Sequence, residues 1–124
     1  MKMVSISVIF PVYNEEENIF PLLHATIPVL SSLTNNFEII FVDDGSTDRT
    51  PEILQKTKHV TVYTLKRNMG KATALYIGFQ KATKEVIITM DSDLQDDPKE
   101  IPRLLAKITE GYDFVNGWKQ TKHQ

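Results

Sequence analysis

Five short apolar runs, Ser5–Phe10, Glu38–Val42, Val60–Leu65, Val86–Met90 and Asp113–Asn116, alternate along the chain with segments of helical period. The runs are rich in Ile, Val and Phe and mostly apolar on both faces. Strands of that kind need cover on two sides, which a parallel sheet between helices provides. The order β-α-β-α-β-α-β-α-β predicts an α/β fold, an open and mainly parallel sheet with helices on both faces.

The intervening segments carry their own punctuation. Asn18 is the predicted N-cap of the first helix, with Pro21 in its first turn and an inner stripe of Leu22, Leu23, Thr26, Ile27 and Leu30. Thr50 before Pro51 predicts the cap of the second. The third is expected over Lys71–Thr83, burying Leu75, Gly78, Phe79 and Ala82. The fourth has Asp97 as cap, Pro98 next and Glu100 at the capping-box position. Ile101, Leu104, Leu105 and Ile108 are its inner face, Gly111 its end, and Pro102 marks a break after an opening turn.

The 124 residues are one domain's worth of chain, with 41% hydrophobic and 24% charged residues. A net charge of −2 argues against a nucleic-acid partner. Absence of Cys removes disulfides and thiolate metal sites and fits a reducing compartment. No apolar run approaches the roughly 18 residues of a membrane span, and the N-terminus is too short and β-like for a signal peptide. The polar ending Lys119-Gln-Thr-Lys-His-Gln124 reads as a stop in mid-protein.

In open α/β sheets, ligands bind outside the carboxyl ends of the strands. The chemistry-bearing residues fall there: Pro11-Val-Tyr-Asn-Glu15, Asp43-Asp-Gly-Ser-Thr-Asp48, Lys66-Arg-Asn-Met-Gly-Lys71 and Asp91-Ser-Asp-Leu-Gln95. Asp91 and Asp93 leave the fourth strand one residue apart. Two hard oxygen donors there suit Mg²⁺ or Mn²⁺ held together with substrate phosphates, with the Gln95 amide oxygen as a candidate third ligand. A lone Asp-x-Asp recurs by chance, so the neighbours must carry the argument. Asp43-Asp44-Gly45-Ser46 is equally well a plain turn or a carboxylate offered to a base N–H or a ribose hydroxyl. Tyr13 is, taken alone, a structural residue first and a platform for a planar base second. Arg67 and Lys71 are solvated charges or anion contacts beside Gly70 at a helix start. Asp96 and Asp97 read as parts of the next helix start rather than metal ligands. His24, His59 and His123 have no ligand spacing.

Phe10-Pro-Val-Tyr-Asn-Glu-Glu-Glu-Asn18, Glu38-Ile-Ile-Phe-Val-Asp-Asp-Gly-Ser-Thr-Asp48, Arg67-Asn-Met-Gly-Lys71 and Met90-Asp-Ser-Asp-Leu-Gln-Asp-Asp-Pro98 together resemble the family 2 glycosyltransferases of GT-A fold. Within them the chain is most similar to the polyprenyl-phosphate sugar transferases, the dolichol-phosphate mannosyltransferases and their undecaprenyl-phosphate counterparts. The resemblance spans residues 1–124, the nucleotide-sugar-binding part of a GT-A domain cut short of its acceptor half. It implies nucleotide contacts at Pro11, Tyr13, Glu15, Val42, Asp44, Asp91 and Ser92. It also implies a metal on Asp91 and Asp93 assisted by Gln95, and a basic contact to the diphosphate at Lys119, where relatives often have Arg.

The implied activity is inverting transfer of a sugar from a nucleotide-diphosphate donor to a polyprenyl phosphate, in cell-wall or lipopolysaccharide synthesis at the cytoplasmic face of a membrane. A UDP-sugar is favoured over GDP-mannose. Any base for a hydroxyl acceptor is expected beyond Gln124. The competing readings are a saccharide hydroxyl acceptor and a module that binds nucleotide-sugar without turnover. A nucleotidyltransferase is disfavoured because Pro11-Val-Tyr-Asn is not its Gly-rich loop. A receiver domain is disfavoured because the Asp pair comes too late. An apolar face left uncovered is expected to promote self-association.

Overall fold

The computed structural model describes residues 4–93, 96–109, 114–115 and 120–121. Strands β1 (Ile6–Val12), β2 (Phe37–Asp43), β3 (Thr61–Thr64) and β4 (Val86–Thr89) form a parallel four-stranded sheet in the order β3-β2-β1-β4. Helices α1 (Ile19–Leu33), α2 (Thr50–Lys56), α3 (Lys71–Lys81) and α4 (Ile101–Thr109) join and flank them. A 3₁₀ turn, Pro98–Glu100, leads into α4.

Alternation along β1 divides the core. Ile6, Val8, Phe10 and Val12 pack with Ile39 and Phe41 of β2 beneath Ile19, Leu22 and Leu30 of α1, Leu54 of α2, and Ile101 and Leu104 of α4. Ile9, Ile40 and Val42 face the other way, against Ala74 of α3. This is the expected helix–sheet–helix sandwich. The rings of Phe10 and Phe41 stack across β1 and β2 at 5.2 Å. Gly78 lets α3 close on the sheet: a Cβ there would lie 2.5 Å from Ile9 Cγ2.

Several sequence-based expectations need correction. The fifth strand, expected over Asp113–Asn116, is Phe114–Val115 and pairs antiparallel with Gln120–Thr121 in a separate sheet. So short a link permits a hairpin but not the crossover a parallel partner needs; Asp113 and Asn116 themselves lie outside the described residues. Ile27 is exposed, because the buried stripe of α1 runs Ile19, Leu22, Leu23, Thr26, Leu30. In α3, Phe79 is also exposed, and the small residues Ala74 and Gly78 make the buried face. Thr50 is inside α2 rather than capping it, and the Asp48 carboxylate accepts the Thr50 N–H at 2.8 Å. Asp97 caps as expected, accepting the Lys99 N–H at 3.0 Å. Glu100, however, turns to Arg103 instead of closing a capping box. Pro102 follows the 3₁₀ turn, which is the expected break. The Ile108 side chain and Gly111 lie outside the described residues.

Pro11 shapes the sheet at its ligand-binding end. Ile9 accepts the Met90 N–H at 3.0 Å, so backbone groups of residues 9 and 11 face β4. Pro11 has no N–H to continue that ladder, and pairing with β4 stops at Ile9–Thr89 while pairing with β2 runs on to Val12–Asp43. A crevice therefore opens between the ends of β1 and β4. Because β1 leads to β2 on one side and β3 crosses back to β4 on the other, this crevice is the topological switch point.

Candidate functional site

A cleft of about 240 Å³ occupies that crevice, lined by Pro11, Val12, Tyr13, Glu15, Asp44, Lys71, Asp91, Ser92 and Asp93. Seven of the sequence-predicted site residues are thus brought together by β1, β2 and β4, and Lys71 joins them from the start of α3.

Two loops make one wall. Asn14 adopts the left-handed conformation, φ 54°, a strain that Asn tolerates better than most residues. Its side-chain oxygen accepts the N–H groups of Thr47 at 2.8 Å and Asp48 at 3.2 Å, and its own N–H donates to Ser46 Oγ at 2.9 Å. Glu15 N–H donates to the buried Thr50 hydroxyl at 2.9 Å, and the Glu15 carboxylate is held by Asn18 Nδ2 at 3.0 Å. The loop after β1 is thereby tied to the loop after β2. Tyr13, 44% exposed, projects from it into the cleft lining.

The Asp43-Asp44 pair divides its labour. Asp43 is fully buried and makes the turn, accepting the Ser46 N–H at 3.0 Å. Asp44 reaches across to the loop after β3: its two oxygens accept the N–H groups of Met69 at 2.7 Å and Gly70 at 3.0 Å. Hydrogen bonds from backbone N–H to a carboxylate are the stronger sort. The turn reading and the site reading both hold for this motif, since Asp44 also lines the cleft.

The wall opposite is the end of β4. Ser92 is buried, and its hydroxyl donates to the Pro11 carbonyl at 3.2 Å, bridging the mouth of the crevice. Lys71 Nζ lies 2.5 Å from Asp91 Oδ1. The Asp91 N–H donates to Asp96 Oδ2 at 2.8 Å. Asp96, which the sequence assigned only to the helix start, is in fact buried beneath the Asp91–Asp93 turn. Burial, with the neighbouring charges of Asp91 and Asp93, holds its carboxyl above the ordinary aspartate value, against the Asp91 N–H and Lys71. Asp96→Ala should leave the Asp91 N–H without its acceptor and, on the expectation that Asp91 and Asp93 hold a divalent cation, weaken its binding about 5- to 100-fold. Asp96→Asn keeps an oxygen in place and should recover most of it. Equal cation affinity in wild type and Asp96→Ala, read by calorimetry, would remove this role.

The other predicted residues stand apart. Val42 is fully buried in the core beneath α3, outside the cleft lining, while its neighbour in register, Pro11, also buried, is among the lining residues. Arg67 is exposed and directs its Nε to Met69 Sδ at 3.4 Å, away from the lining. Gln95 and Lys119 lie outside the described residues. Among the described residues no group of three or more acidic or His side chains forms a metal cage. Asp91 and Asp93 nevertheless fit a divalent cation completed by phosphate oxygens: both line the cleft, and a cation, the Lys71 ammonium, already stands on Asp91.

The model of the family described as "Glycosyl transferase family 2" matches residues 7–122. The chain belongs to glycosyl transferase family 2. An undecaprenyl-phosphate 4-deoxy-4-formamido-L-arabinose transferase of Pectobacterium carotovorum is 44% identical over 116 residues, covering 90% of this chain and 36% of that protein. The chain thus spans about a third of the length of the curated relatives it matches. Family likeness extends to solved structures. Glucosyl-3-phosphoglycerate synthase from Mycobacterium tuberculosis, in complex with Mn²⁺, UDP and phosphoglyceric acid, has a TM-score of 0.71 at 28% identity over 88% of this chain and 41% of that one. The mannosyltransferase PcManGT from Pyrobaculum calidifontis, in complex with GDP-Man and Mn²⁺, has a TM-score of 0.58 at 25% identity over 75% of this chain and 28% of that one. The fold is therefore the GT-A-like one of these neighbours.

Proposed function

We propose that this chain is the nucleotide-sugar-binding part of an inverting glycosyltransferase that moves a sugar from a UDP-sugar to a polyprenyl phosphate, with Mg²⁺ or Mn²⁺ on Asp91 and Asp93. The observation that carries this is the convergence of Tyr13, Asp44, Lys71, Asp91 and Asp93 on one cleft at the switch point of the sheet. A transferase to undecaprenyl phosphate at 44% identity supports the acceptor class, and a neighbour holding UDP at 28% identity supports a UDP-sugar donor, although another at 25% holds GDP-Man. An acceptor of that kind resides in a membrane, so the full protein works at its cytoplasmic face in envelope synthesis. Among the described residues no helix is long and apolar enough to cross a bilayer.

In this reading the ring of Tyr13 bears on the base, and Asp44 accepts from base or ribose while it clamps Met69 and Gly70. Glu15, fixed by Asn18, borders the nucleoside. Ser92 keeps the β1–β4 crevice in shape by its bond to Pro11. The cation, when bound, stabilises negative charge developing on the nucleoside diphosphate as the sugar departs. Lys71 adds positive potential at the same oxygens, and Lys119 is a further candidate for it. The acceptor phosphate is already anionic, so attack on the anomeric carbon needs no protein base; a saccharide hydroxyl would need one.

Calorimetry with UDP and Mn²⁺ tests the site. Mn²⁺ should bind weakly alone and much more tightly with UDP, because two carboxylates are too few for an all-protein cage. Asp44→Ala should weaken UDP binding by about 1–3 kcal/mol. Asp93→Ala should abolish the synergy between UDP and Mn²⁺. Unchanged Mn²⁺ affinity in Asp93→Ala, or a preference for GDP over UDP, would overturn the metal or the donor assignment respectively.

A further inference from the structure

The Lys71–Asp91 ion pair is an odd arrangement for a free-standing surface contact. Lys71 is the first residue of α3, and a helix N-terminus favours anions over cations. The ammonium is nevertheless 2.5 Å from Asp91 Oδ1, with the lysine side chain half exposed and the aspartate mostly buried. Both partners are delivered by anchored backbone. Ahead of Lys71, Asp44 holds the N–H groups of Met69 and Gly70, and the Arg67–Asn68 backbone rests on Gly45. Asp91 is held by Asp96 through its own N–H. The pair is therefore set by two fixed segments that meet across the cleft.

We infer that Lys71 is a tethered counter-cation: it occupies Asp91 until a nucleoside diphosphate arrives, and it must leave that carboxylate before a divalent cation can bind there. This rests on the assignment of Asp91 and Asp93 to the cation in the proposed function. The diphosphate offers the ammonium a second anionic partner on the same side of the cleft. Lys71 then exchanges a carboxylate for phosphate oxygens, and the divalent cation takes its place on Asp91. Cation alone meets competition from Lys71, whereas cation with diphosphate does not. The lysine thus makes cation binding conditional on the nucleotide, over and above the phosphate oxygens that complete the coordination.

Manganese binding followed by loss of the free-ion EPR signal separates these contributions, with Lys71→Met and Lys71→Arg compared with wild type, each with and without UDP. Lys71 is half exposed, so neither change disturbs the core. Without UDP, Lys71→Met should bind Mn²⁺ about three- to tenfold more tightly than wild type, as expected for removal of one partly exposed competing charge. Lys71→Arg should stay near wild type. The gain in Mn²⁺ affinity on adding UDP should shrink in Lys71→Met. If Lys71→Met binds Mn²⁺ alone no better than wild type, including the case where neither binds detectably, the counter-cation role is wrong. Asp93→Ala distinguishes the two levels. Should it lose Mn²⁺ binding in the presence of UDP while Lys71→Met behaves as wild type, the metal site stands and only this inference falls. Should Asp93→Ala bind as wild type, both fall.

Discussion

Gly45→Ala should destabilise the chain by about 3–5 kcal/mol, a loss at the extreme of single substitutions. Two separate penalties combine at this position. Gly45 has φ +73°, the left-handed region, and a side chain there costs roughly 1–2 kcal/mol. Its Cβ would also overlap the Arg67 carbonyl carbon and lie 2.5 Å from Asn68 N, both rigid backbone. Relief requires the loop after β3 to move away, and that movement breaks the bonds from Met69 and Gly70 to Asp44. Hydrogen bonds to a charged group contribute about 1.5–3 kcal/mol each. Gly70→Ala is the natural comparison. Gly70 also has positive φ, +100°, but nothing lies within 4 Å of the added Cβ, so only the conformational penalty of roughly 1–3 kcal/mol applies. Urea unfolding of both variants gives the difference, and amide exchange at Met69 and Gly70 should accelerate in Gly45→Ala beyond the change in global stability. A loss no larger than that of Gly70→Ala would show that the loop yields freely and that Asp44 does not hold it.

The same loop shows why part of the site was legible in the sequence and part was not. Composition and period led to the sheet because Ile, Val and Phe recur on both faces of β1 and β2, and burial on both faces leaves few alternatives. Asp91, Asp93, Tyr13 and Asp44 are picked out as candidates by their places at strand ends together with the family resemblance of their motifs, and the fold brings them to one cleft. Long-range hydrogen bonding was not legible. Asp44 meets Met69 and Gly70 across 25 and 26 residues of chain, and Asn14 meets Thr47 across 33. Neither spacing is periodic, so no local pattern announces them. Asp96 was read as helix punctuation because it precedes Asp97 and Pro98; only the fold of the β4 end reveals that it serves Asp91. Val42, expected as a nucleotide contact from the family resemblance, has its side chain in the core, where strand alternation sends it. The turn at Asp43-Asp44-Gly45-Ser46 was legible from its residue types, but not the positive φ of Gly45 or its contact with the loop after β3.

Sugar transfer by these 124 residues to a short polyprenyl phosphate should be slower by about a thousandfold or more than by a chain of the relatives' full length. In the proposed function the residues that line the cleft serve the donor, with Tyr13 as base platform, Asp44 as acceptor from base or ribose, Asp91 and Asp93 as cation ligands and Lys71 beside the diphosphate. Attack at the anomeric carbon also needs the acceptor phosphate held in line, and misplacement by about 1 Å can remove a hundredfold in rate. The relatives have about two thirds of their length beyond what this chain spans. β4, which carries Asp91 and Asp93 past its end, pairs on one side only among the described residues, with β1. Among the described residues one edge of β4 is thus available to further structure, and in the proposed function the positioning of the acceptor belongs there. The measurement is turnover with UDP-sugar, Mn²⁺ and polyprenyl phosphate for this chain and for a fusion of it to the portion of the Pectobacterium relative that it does not span. UDP binding, followed in parallel, should be similar in both and confirms that each is folded at the donor cleft. Comparable transfer rates would place the whole active site within these residues and end the assignment of the acceptor side to the remaining length.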